Sequence, residues 1–118
     1  MRENDLSKRL LEFAIDVIKL LRKLPNTEEY RIIKHQLIKS STSSGANYEE
    51  AQGGSSKADF TNKVRISLKE MRESNYWLKI INGIILDNNT EKCNLLIQES
   101  KELKNILGAI CVKTERKK

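Results

Sequence analysis

With 118 residues and a net charge of +6, the chain has room for one domain whose core needs neither a metal nor disulfides to hold it. Hydrophobic residues make up 38%, charged residues 32% and aromatics 5%, with five glycines and one proline. So few breakers exclude an all-β sandwich or barrel, which needs turn signals every ~8–12 residues, and fit a helical chain.

Residues 5–24 read as a first helix, with Leu6, Leu10, Phe13, Val17, Leu20, Leu21 and Leu24 at three- and four-residue steps. Pro25 stops it. Asn26, with Glu29 three residues on, predicts the cap of a second helix. That helix carries Tyr30, Ile33, Leu37, Ser41, Ser44 and Tyr48 on one face and runs to about Gln52, where Gly53-Gly54 breaks it. Ser40 to Ser44 looks like a loop by propensity. Apolar residues keep one helical phase across it, so it reads as helix, with small side chains that let backbones approach. Ser56 and Asp59 open a long third helix, striped by Phe60, Val64, Leu68, Met71, Leu78, Ile81 and Ile85. Asp87 to Thr90 is the third joint. The fourth helix carries Leu96, Ser100, Leu103, Leu107 and Ile110 and ends in a polar tail from Lys113. Four helices on short joints predict a single all-α domain over 1–118, an antiparallel up-down-up-down four-helix bundle.

No apolar run approaches the ~18 residues of a membrane span. The first residues carry acids and no small-residue cleavage site, which argues against a secretory signal. Cys93 and Cys111 are too few for a disulfide framework. On one helix they share a face but stand ~27 Å apart, so they read as small core residues. The expected location is the cytoplasm.

Two helices carry more apolar surface than a bundle uses. Leu11, Ile15 and Ile18 widen the first helix's apolar arc to about 220°. On the third helix, Ile66, Trp77, Ile80 and Ile84 form a second patch about 120° from the main stripe. Scattered surface apolars are ordinary. Two coherent patches, one holding the only Trp, favour an oligomer interface.

The chain offers little for catalysis. His35 is the single histidine, and no nucleophile motif accompanies it. No Glu-x-x-His of di-iron bundles and no glycine-rich phosphate loop occur, so no enzyme activity, metal or cofactor is expected. A competing carboxylate–metal bundle would draw on Glu50, Glu70 and Glu73. Those three, with Asn47, read better as structural polar groups, and Asn47 beside Tyr48 is expected to fix register across the bundle.

The charge is more informative. Residues 1–25 sum to +2, 26–54 to −1, 55–89 to +2 and 90–118 to +3. Arg65, Lys69, Arg72, Tyr76 and Lys79 fall in one ~80° arc of the third helix. Such spacing suits phosphates, and Tyr76 suits an unpaired base. The plainer reading is a solvated face, with Lys69 and Glu73 as an i,i+4 pair. The tail, Lys113, Arg116, Lys117 and Lys118, is a second basic candidate. RNA or DNA is therefore an expected partner, with a protein scaffold steered by its charge as the rival.

The series Ser44-Gly45-Ala46-Asn47-Tyr48, Glu50-Ala51, Ser55-Ser56, Asp59-Phe60, Lys69-Glu70, Glu73-Ser74 and Trp77-Leu78 resembles the bacterial four-helix bundle proteins encoded in intervening sequences of 23S rRNA genes. The resemblance spans roughly residues 10–110 and is strongest over 40–80. It implies a four-helix monomer assembling into a ring-like homopentamer. Similar proteins include the accessory subunit of diversity-generating retroelements, a basic pentamer that partners a reverse transcriptase and nucleic acid. The residues quoted fit both kinds of relative, and neither brings a catalytic motif to transfer.

Overall fold

Four helices follow one another in the computed structural model, which describes residues 3–54, 56–86 and 90–116. They are α1 (Glu3–Arg22), α2 (Glu28–Ala51), α3 (Lys57–Ile84) and α4 (Thr90–Arg116). α1 packs on α2 and α4, and α3 packs on α2 and α4. α1 and α3 therefore stand at opposite corners. The result is an all-α four-helix bundle, 48 × 23 × 20 Å.

Each boundary has a local cause. α1 ends in a tightened turn, where Lys23 and Leu24 N–H groups donate to the Leu20 and Leu21 carbonyls at 3.0 and 3.2 Å. Pro25 follows, and Lys34 Nζ donates to the Leu24 carbonyl at 2.9 Å, which pins the joint to α2. The cap of α2 is Thr27 rather than the expected Asn26. Its hydroxyl accepts from the Tyr30 N–H at 3.4 Å. The threonine is one residue closer to the first helical turn and can satisfy the same orphan donors. Gly54, at φ 87°, makes the turn after α2. Ser56 caps α3 as expected, accepting from the Asp59 N–H at 3.2 Å. The joint expected at Asn88-Asn89 lies outside the described residues.

The apolar stripes meet in one core. Leu10, Phe13, Val17, Leu37, Tyr48, Val64, Met71, Leu78, Ile81, Leu103 and Leu107 are fully buried in it. The serine-rich segment is continuous helix, and it lies at the α2–α3 seam. Ser40 and Ser74 hydroxyls meet at 2.8 Å, and Ser44 and Ser67 are buried against each other. Small side chains thus bring the two helices close while their hydroxyls remain satisfied by hydrogen bonds.

Candidate nucleic-acid and assembly surfaces

The basic arc lies on the outer side of α3, where that helix turns away from α2 and α4. Lys69, Arg72, Tyr76 and Lys79 are all exposed, and Tyr76 is 59% exposed. The arc is exposed because the core positions across the same helix, Ser74, Leu78 and Ile81, are the fully buried ones. Tyr76 packs edge-on against Trp77, with ring centroids 5.3 Å apart and planes at 70°.

Arg65 is different from the other four. Its Nε donates to Glu115 Oε1 at 2.8 Å, and its Nη2 reaches the same oxygen. The α4 carboxylate thus engages two of this arginine's nitrogens and offsets its charge. The partner lies 50 residues away in sequence, so no local pattern announces it. Of the tail, Lys113 is exposed and Arg116 is the last residue of α4. Lys117 and Lys118 lie outside the described residues.

The second apolar patches divide by exposure. On α1, Leu11 and Ile15 are 60% and 41% exposed and Ile18 is half-buried. On α3, Ile84 is exposed, whereas Ile66, Trp77 and Ile80 are half-buried, and Trp77 leans on the core. Because α1 and α3 stand at opposite corners, these patches open onto different sides of the bundle.

The polar residues sort differently from expectation. Asn47 does not reach across the bundle: its Nδ2 donates to the Ser43 carbonyl at 2.9 Å and to the Ser43 hydroxyl at 3.1 Å, within its own helix. A buried amide that does bridge helices is Asn75, 6% exposed. Its Nδ2 donates to Ser100 Oγ at 2.8 Å and to the Ile97 carbonyl at 3.4 Å, joining α3 to α4. A signal for it was present, since Asn75 falls seven residues after Leu68 and three before Leu78, on the core-facing side of α3. Sequence reasoning also missed Arg9, whose guanidinium grips Glu99 at 2.9 and 2.6 Å and reaches Glu102 at 3.3 Å. The hydrogen bond to Glu99 holds Arg9 even more firmly protonated than usual, against the opposing effect of burial.

Glu50 is exposed and pairs with Lys63 at 3.0 Å. Glu70 has one carboxylate oxygen that is buried and unpartnered. Burial, then repulsion from Glu73 and a hydrogen bond with it, push the Glu70 carboxyl above the usual glutamate range. Among the described residues, no three His, Cys, Asp or Glu side chains come together to hold a metal ion. No described helix is long and apolar enough to cross a membrane.

Taken together, these elements define a basic, all-α bundle whose polar side chains tie neighbouring helices together. The chain belongs to the 23S rRNA-intervening sequence protein family, whose pattern it matches over residues 2–109. It is also similar to the crystal structure of a protein of unknown function from the S23 ribosomal protein family of Bacteroides thetaiotaomicron VPI-5482. The two are 33% identical with a TM-score of 0.82, over 94% of this chain and 98% of that one. No curated protein matches the chain.

Proposed function

We propose that this protein is a non-enzymatic, basic bundle that self-associates and binds nucleic acid, RNA in particular, with the outer face of α3. The observation that carries the reading is the exposure of Lys69, Arg72 and Lys79 around Tyr76 on one face. Cations held on a rigid helix and left without a buried role are suited to phosphates, and they add to a net charge of +6. One copy offers few phosphate contacts. Self-association multiplies them, provided the sites engage one strand together.

The apolar patches supply the assembly. Patches at opposite corners favour a head-to-tail contact, in which α1 of one copy meets α3 of the next, and such contacts close into a ring when the rotation permits. Five is the number that the family resemblance implies.

The test is RNA and DNA binding over a salt series, for the wild type and for Arg72→Glu/Lys79→Glu. Phosphate contacts give a log–log salt slope of several units that flattens in the double variant. An unchanged slope in a variant of unchanged assembly clears α3 of the role. The exposed Leu11 and Ile15 support a second reading, an oligomeric scaffold or accessory subunit for a protein such as a reverse transcriptase. Wild-type protein that binds no nucleic acid at low salt would put that reading ahead.

A further inference from the structure

We infer that the outer face of α3 selects single-stranded over duplex nucleic acid, with the Tyr76 ring stacking on an unpaired base between flanking cations. The inference rests on the nucleic-acid reading of the same face. Tyr76 is exposed although its sequence neighbours, Asn75 and Trp77, are buried and half-buried. In an edge-on aromatic pair the edge of one ring meets the face of the other. Trp77 therefore covers at most one face of Tyr76 and leaves the other to solvent. Trp77 is itself packed against the core, so the tyrosine ring is steadied from the side.

The cations are centred on this ring. Arg72 precedes Tyr76 by four residues and Lys79 follows it by three, each about one helical turn of 5.4 Å away. Lys69 lies a further turn back. Arg65, the next arginine along the arc, has its charge paired with the Glu115 carboxylate through Nε and Nη2. The available charge is thus concentrated around Tyr76 rather than spread down the helix. A duplex keeps both faces of each base inside its stack and offers this surface its backbone and groove edges but no base face. An unpaired strand offers phosphates and base faces together. Because every base has a face, the stacking is tolerant of sequence.

The test uses fluorescence anisotropy with a labelled mixed-sequence RNA strand, alone and annealed to its complement. It compares the wild type, Tyr76→Ala and Tyr76→Phe at one low salt concentration, with light scattering and circular dichroism as controls. Tyr76 is at the surface, so both variants are expected to fold. The wild type should bind the strand about tenfold or more tightly than the duplex. Tyr76→Ala should lose about tenfold on the strand, the scale of one stacked base, and little on the duplex. Tyr76→Phe keeps the ring face and should stay near wild type. Equal wild-type affinity for strand and duplex overturns the stacking and leaves phosphate binding standing, as does a Tyr76→Ala loss that is equal on both or absent. Failure of the wild type to bind either form removes the nucleic-acid reading and this inference with it.

Discussion

Ser44 and Ser67 are tied twice across the α2–α3 seam: each hydroxyl donates to the other residue's backbone carbonyl, at 2.8 and 2.7 Å. Both residues are fully buried, so the two helices meet here through hydroxyls whose protons are both used. A larger side chain has nowhere to go at this point without parting the helices.

The seam predicts an order of effects. Ser44→Ala removes one donor from a carbonyl that still belongs to its helix, and should cost about 1 kcal/mol. Ser44→Leu must push α2 off α3 and should cost more, roughly 1–3 kcal/mol or beyond. Thermal unfolding of both variants checks this. A leucine variant as stable as the alanine variant would mean that the seam is not tightly packed.

Asn75 carries a second expectation. Asn75→Leu keeps the branched outline, with bulkier methyl groups, but leaves the Ser100 hydroxyl without its buried amide partner, although that hydroxyl still donates to the Ile97 carbonyl at 2.8 Å. The expected loss is about 1–2 kcal/mol in denaturant unfolding, whereas Asn47→Leu, which breaks only bonds within one helix, should lose less. The reverse order would return the register role to Asn47.

Glu70 sets a pH dependence of definite sign. Its carboxyl is raised in the folded state by burial first and by Glu73 second. The folded chain then holds the proton more tightly than the unfolded chain, so this stabilisation is complete below the ordinary glutamate range and is lost as pH rises through the raised value. Glu70→Gln keeps the protonated shape and should be more stable than wild type at neutral pH, with a flatter profile between mildly acidic and neutral pH. A glutamine variant with the wild-type profile would show that Glu70 carries none of it.

Both thiols should be silent in the folded protein. Burial pushes Cys93 up to about 11, and its Sγ faces the Leu78 carbonyl at 3.4 Å. Burial, with help from Glu115, also raises Cys111. The thiolate is the reactive form. An aromatic disulfide reagent at neutral pH should therefore label the native protein slowly and label it fully in guanidinium. Rapid native labelling of either cysteine would contradict its burial.

Trp77 tests assembly directly. If the α3 patch is covered by another copy, Trp77→Ala should weaken association by roughly 2–4 kcal/mol, the size of an interface hot spot. Leu11→Lys on α1 should do the same from the other side of the contact. Light scattering that finds wild-type monomers at micromolar concentration would remove the assembly.

Much of the bundle is legible in the chain itself. The apolar period, Pro25, Gly53-Gly54 and the Ser56 cap specify helices because each acts over a turn or two, within reach of local sequence. Phase decided the serine run correctly against propensity, since burial at the seam outweighs a few tenths of a kcal/mol per residue. The basic arc of Lys69, Arg72, Tyr76 and Lys79 was legible for the same reason. The Asn26 cap failed by one residue because two neighbouring residues, Asn26 and Thr27, both carry capping side chains, and backbone geometry chose between them.

By itself, then, the sequence determined four amphipathic helices, their joints at Pro25 and Gly53-Gly54, a positive balance and the exposed face of α3. All of these depend on spacing within one helix. Only the tertiary structure decided which polar residues cross between helices. Asn75 meets Ser100, Arg65 is held by Glu115 and Arg9 by Glu99, while Asn47 stays with Ser43. Those pairings depend on the relative rotation and axial register of helices 25 to 90 residues apart in the chain. Core packing sets that rotation and register, and no local period encodes them.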